Sequence, residues 1–390
     1  MSGAFVALLF ALFGATLVGV AVFPRRSLLV ALIGCGAIVA ARLASGRLDW
    51  AWHLAGEWAK VVNLFALLVG FAVVADHFEQ SHLPERLPRV LPRGAPGCFA
   101  LLAAVWLLSG VLDNIAAALI GATAASRLFA RVHVGYAAAI VAAANAGGAG
   151  SVIGDTTTTM IWLDGVSARA LAPAFLGAAV ALLVFGTVAA LQQARFGAMV
   201  EEAPHRPPID KVRLGIVAAT ITALALTNVV ASRMLGSRAD ALPLLGGSMC
   251  AVLAVGALVR PINWSTARHA ARGALFLVAL VVSASLLPVE ALPRPSVATT
   301  VGLGFVSAVF DNIPLTKVAL VQGGYDWPVL AYSVGFGGSM VWFGSSAGVA
   351  VAEVLPVVRS VGTWVRHGWH IPLAFLAGHA VMRLVLGWNP

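Results

Sequence analysis

Three aspartates stand inside long apolar runs of this chain, each among glycine, serine, threonine or asparagine: Asp113, Asp155 and Asp311. The densest polar tract is NAGGAGSVIGDTTTTMIW, Asn145 to Trp162, where Asp155 brings the charge and Ser151, Thr156 and Thr157 bring hydroxyl oxygens. Its glycines let two half-helix ends approach a small ligand closely and adopt backbone angles that other residues avoid. Hard cations such as sodium need several such oxygens at short range. The plainer role for Asp155 is to cap a half-helix, with Thr156–Thr159 bonding back to the backbone. A cap alone could be Ser or Asn and would avoid the cost of a buried charge. Asp113-Asn114 and Asp311-Asn312 have the same two roles open to them, as hairpin-tip caps or as ligands converging on one site. Lys317, five residues after Asn312 in an apolar run, either snorkels outward or pairs with Asp113, Asp155 or Asp311 in place of a bound cation.

These groups need elements that can hold them inside a membrane. Of 390 residues 60% are apolar and 11% charged, with a mean hydropathy of +0.93. Soluble domains carry about 45–50% apolar and about 25% charged residues, so a soluble enzyme and a disordered regulator are both excluded. The net charge of +9 comes with no basic run, which argues for arginines retained beside a bilayer rather than for a nucleic-acid partner. Cys35, Cys98 and Cys250 are far apart and form no CxxC pair, so neither a disulfide framework nor a metal cluster is expected. No nucleotide motif and no cofactor motif is present.

Apolar runs predict an all-α polytopic protein of about ten transmembrane helices plus two re-entrant hairpins. Residues 1–200 form a first unit: three spans, a hairpin over 97–126, a broken span over 135–163 and a span over 170–194. Residues 201–212 are a charged, proline-containing linker. Residues 213–390 repeat the order, with a hairpin over 296–322, a broken span over 328–356 and a last span over 370–388. SGVLDNI at 109–115 recurs as SAVFDNI at 307–313, and Gly147-Gly148 with Gly154 recurs as Gly337-Gly338 with Gly344. Ser339, Ser345 and Ser346 then stand where the first unit has Ala149, Asp155 and Thr156, so the second unit offers neutral oxygens in place of the carboxylate. Counting alternate loops puts 16 Lys and Arg on one side and 8 on the other, which makes the first side cytoplasmic and both termini external. The units are then inverted relative to each other, a pattern that points to a secondary transporter with its site at the midplane. The segment around Leu48–Lys60, with Trp50, Trp52 and Trp58, is expected at the membrane interface.

The Asn145–Trp162 tract, the two Asp-Asn hairpins and GFGGSMVWFGSSAGVA resemble the NhaD-type sodium/proton antiporters of the ion transporter superfamily, which also holds arsenite-efflux and citrate or dicarboxylate carriers. The resemblance covers roughly residues 60–390. It implies scaffold and transport domains, elevator-type alternating access, a homodimer in the cytoplasmic (inner) membrane, and exchange of Na⁺ or Li⁺ for H⁺. The alternative within the superfamily is a carrier of organic or oxyanion substrates. Family positions for the ion match Ser109, Asp113, Asn114, Asn145, Asp155, Thr156, Thr157, Ser307, Asn312 and Ser345 here, with Asp113 and Asp155 as the implied cation-holding carboxylates. Two residues depart from the family pattern: Trp342, where the glycine-serine tract has serine, and Lys317, where an apolar residue is usual.

Overall fold

Long runs rich in Leu and Ala favour helix, apolar runs in a bilayer must satisfy their backbone internally, and glycine and Asp-Asn pairs interrupt those runs where the chain must turn inside the bundle. A computed structural model describes residues 3–23, 26–45, 58–83, 91–197, 199, 208–235, 242–288, 291–310 and 312–390. Among these residues the secondary structure is helical apart from one isolated bridge between Phe129 and Met199. Asp311, the Trp50 and Trp52 segment and most of the 201–212 linker lie outside the described residues.

The first unit contains α1 (Gly3–Val22), α2 (Ser27–Ala44), α3 (Trp58–Glu79), α4 (Ala95–Ser109), α5 (Asn114–Leu128), α6 (Val134–Gly148), α7 (Thr156–Leu163), the short α8 (Ala168–Leu171) and α9 (Ala174–Phe196). The second contains α10 (Lys211–Leu235), α11 (Leu244–Ala257), α12 (Trp264–Ser285), α13 (Val297–Ser307), α14 (Asn312–Gln322), α15 (Trp327–Gly337), α16 (Ser346–Val354), α17 (Val361–His367) and α18 (His370–Leu386). The breaks expected at 110–113, 149–155 and 338–345 are present. By length and composition, five of the described helical segments can cross a membrane, or six if α17 and α18 form one span bent by 56°. The expected broken spans are cut into pieces such as α6 and α15, and α11 has 14 residues, each too short to cross alone, so this number falls below the ten or so expected from apolar runs. The chain is an all-helical, multi-pass membrane protein.

Packing sorts the helices into two groups. α1, α2 and α3 pack with α10, α11 and α12, drawing the first three helices of each unit together. The hairpins, broken spans and last helices form the other group: α9 lies against α18, α6 and α4, and α16 lies against α5. Its core runs through Leu102, Tyr136, Phe185, Phe336, Trp364 and Phe375, all fully or almost fully buried. The recurring glycines serve one purpose in both units. A Cβ at Gly147 would run into the Trp106 carbonyl, and one at Gly337 into the Gly304 carbonyl, so each broken span rests backbone to backbone on the hairpin before it. Ser109 and Ser307 fasten these contacts, their hydroxyls donating to the carbonyls of Ala144 and of Val334 respectively.

Candidate functional site

Where α6 stops at Gly148 and α7 starts at Thr156, the chain carries seven non-helical residues through the middle of the second helix group. Ser151 shapes this stretch: its hydroxyl donates to the Gly110 carbonyl at 2.7 Å and accepts from the amides of Ile153 and Gly154. Ser151 is therefore a hinge of the break and not part of the polar cluster beyond it. Thr158 and Thr159 bond back to the carbonyls of Ala149 and Val152, as the plainer role expected of the threonine run. Thr156 is half-buried at the first position of α7 and joins none of the bonds described next.

Asp155 occupies the residue before α7 with extended backbone (φ −142°, ψ 134°), yet its side chain accepts nothing from the helix amides. The cap role is thus not what its carboxylate performs. It is 1% exposed, and Oδ1 accepts from Asn114 Nδ2 at 3.3 Å and from Asn312 Nδ2 at 3.2 Å. Those two asparagines are the matching residues of the two hairpins, at the starts of α5 and α14. Two hairpins far apart in sequence therefore aim their amides at one carboxylate oxygen. The other oxygen, Oδ2, faces α15: a Cβ placed on Gly335 would stand 2.9 Å from it.

The network continues through neutral groups. Asn114 Nδ2 also donates to Asn145 Oδ1 at 3.1 Å, and Asn145 Nδ2 donates to Ser339 Oγ and Ser345 Oγ, both at 3.0 Å. Asn312 Nδ2 donates to Thr157 Oγ1 at 2.9 Å. Ser345 in turn accepts from the Gly348 amide at the start of α16, so it is cap and cluster member together. Asn114, Asn145, Asp155, Thr157, Asn312, Ser339 and Ser345 are all buried, and six of the seven carry no charge. Asp155 is thus the one ionisable group of this buried cluster, and a carboxylate in such surroundings is costly to hold ionised.

The other expected residues fall elsewhere. Asp113 caps α5, its Oδ1 accepting from the amides of Ile115 at 2.6 Å and Ala116 at 3.3 Å. It sets the helix start that carries Asn114, and it takes no bond from the asparagine network. Ser109 and Ser307 hold the break from behind, through the carbonyls already described. Ser346 is half-buried at the first position of α16. Lys317 is 5% exposed on α14 and lines a cavity together with Lys60 and Asp164. Gly335 was not among the expected residues. The register that pairs Gly147 with Gly337 also pairs Asn145 with Gly335, so the repeat held a signal for it: the second unit has a bare backbone where the first has an amide.

No family model matches the chain. It is similar to two proteins of Arabidopsis thaliana. One is sodium/proton antiporter 1, 27% identical over 336 residues that make up 74% of this chain and 54% of that protein. The other is sodium/proton antiporter 2, 26% identical over 335 residues that make up 74% of each. The chain thus spans about half the length of the first relative and about three quarters of the second.

Proposed function

We propose that this chain is a secondary transporter that exchanges Na⁺ or Li⁺ for H⁺ across a membrane, with Asp155 as the group that carries either ion. The observation behind this reading is the buried Asp155 carboxylate at a helix break, held by one amide from each hairpin. The names of the two Arabidopsis relatives point to the same chemistry.

The coupling follows from the cost of burying charge. An ionised carboxylate at this depth is unfavourable, so Asp155 crosses the membrane either protonated or with a metal ion bound, and the two exclude each other on one carboxylate. A hard cation takes several oxygen ligands. Asp155 supplies one or two, and Thr157 and Ser345 stand beside the network with hydroxyl oxygens. Each asparagine carries both an acceptor and donors on one amide. A half-turn about Cβ–Cγ would change Asn114 or Asn312 from donating to Asp155 into offering Oδ1 to the ion. Donors toward the carboxylate suit the cation-free state; acceptors suit the cation-bound one.

On this reading the two helix groups are the scaffold (α1–α3 and α10–α12) and the moving transport part, arranged as two inverted units of the NhaD type. The side holding residues 76–93, 195–213 and 260–272 faces the cytoplasm, the protein sits in the cytoplasmic membrane as a homodimer, and both termini lie outside. The test is reconstitution. Purified protein in proteoliposomes should dissipate an imposed pH gradient on addition of Na⁺ or Li⁺, and Asp155→Asn should abolish that response while the protein still purifies folded. Full exchange by Asp155→Asn would reject Asp155 as the carrier of the ions.

A further inference from the structure

The two helix groups meet along a seam where α14 packs along α12 and where α3 touches α7 and α5. Four buried apolar side chains form one of the clusters that cross the seam: Leu64 of α3, Met160 of α7, Val281 of α12 and Ile313 of α14. Ile313 directly follows Asn312. Met160 comes five residues after Asp155, about 7.5 Å along a helix at 1.5 Å per residue. Leu64, Met160 and Val281 also wall a cavity of about 30 Å³, and its polar lining is Lys60, Asp164 and Lys317. That is room for about one water molecule. Lys60 Nζ reaches Asp164 Oδ1 at 2.6 Å, joining the first helix group to the second. Their side chains are 29% and 27% exposed, whereas Lys317 is 5% exposed, so the ion pair stands at the outer end of the cavity.

We propose that this seam is the access gate of the Asp155 site: the four apolar side chains are its plug, and the Lys60–Asp164 pair is its latch. The inference rests on the cation-exchange reading of Asp155. A constriction lined only by apolar groups holds back a hydrated ion because the ion would have to shed water with nothing to replace it. Each helix group supplies two of the four plug residues and one of the two latch residues, so relative movement of the groups opens plug and latch together. A partly exposed ion pair is a weak contact, as one broken in every cycle has to be. The positive charge of Lys317 at the cavity wall adds a barrier to any cation that enters while the plug is closed.

The test ties the latch shut. In a chain with Cys35→Ser, Cys98→Ala and Cys250→Ser, the pair Lys60→Cys and Asp164→Cys is linked by a short bifunctional methanethiosulfonate reagent that a reductant removes. Single-cysteine chains treated alike are the controls. The linked protein should lose at least tenfold in Na⁺/H⁺ exchange rate and regain it on reduction, while the unmodified chain shows a Na⁺-induced rise in melting temperature. Unchanged exchange in the linked protein would overturn the gate and leave the Asp155 site standing. Absence of any Na⁺-induced shift in the unmodified chain would instead remove the cation site and the gate with it.

Discussion

Gly335→Ala perturbs the candidate site by a single methyl group and leaves its ligands in place. The added Cβ would stand 2.9 Å from Asp155 Oδ2 and 3.6 Å from Cγ. Ordinary contact begins at roughly 3.4 Å, so the carboxylate has to give by about 0.5 Å. Its bonds from Asn114 and Asn312 are already long, at 3.3 and 3.2 Å. A shift of that size takes at least one of them out of hydrogen-bonding range. Those bonds belong to the cation-free arrangement, so losing one costs that state about 1–3 kcal/mol, which corresponds to a roughly 5- to 150-fold tighter apparent affinity for Na⁺. Alanine is the better helix former by about 1 kcal/mol, so the fold should not suffer. The assay is exchange rate against Na⁺ concentration in proteoliposomes, with Gly302→Ala as control because a Cβ there meets open space. Unchanged half-saturation in a folded Gly335→Ala protein would refute the placement of Asp155 Oδ2 at the ion.

Lys317→Met removes a buried positive charge about one and a half turns from Asn312 on the same helix. At about 8 Å and an effective dielectric of about 20, that charge opposes a cation by about 2 kcal/mol, so the variant should bind Na⁺ up to about 30-fold more tightly or respond differently to an imposed potential. Unchanged affinity together with an unchanged voltage response would show that Lys317 acts on neither. Away from the site, the Arg260 guanidinium, with Nε 2.7 Å from Asp210, holds the Asp210 carboxyl below its ordinary range, and the amides of Arg213 and Val212 act in the same direction. The stability this gives is present above the ordinary carboxylate pKa and disappears as pH falls through the lowered one. Melting temperature should therefore fall less for Asp210→Asn than for the native chain from about pH 6 to about pH 3, as differential scanning fluorimetry would read.

Three polar contacts show how far local reading reaches. Loop counting places Lys60 on the same side as Arg169, and it places Arg213 and Arg260 on the opposite side. In the fold Lys60 meets Asp164 at one end of α3, while His77 meets Arg213 and Asp210 meets Arg260 at the other. The alternation of apolar runs carries this information because each run has to end where the bilayer ends. The partner within each set is another matter. Lys60 and Asp164 are separated by 104 residues and belong to different helix groups, and nothing in their neighbours in sequence marks them as a pair.

Helix, break and polar tract are local properties, set by which residues propagate backbone hydrogen bonds and which interrupt them. The sequence alone therefore determined the all-helical membrane class, the interruption of helix at its glycine tracts, and the recurrence of SGVLDNI and of the glycine pairs. It also put Asn114, Asn145, Asp155, Thr157, Asn312, Ser339 and Ser345 among the candidates. It did not separate Asp113 from Asp155, since both are acids one residue before a half-helix. Tertiary structure made that distinction: the Asp113 side chain turns back onto its own helix amides, while Asp155 faces the asparagines of both hairpins. Only the crossing of the two units brings Asn312 and Gly335 to Asp155, and Ser339 and Ser345 to Asn145. A carboxylate's surroundings come from whatever packs against it, and around Asp155 those groups, Asn114, Asn312 and Gly335, lie 41 to 180 residues away in sequence.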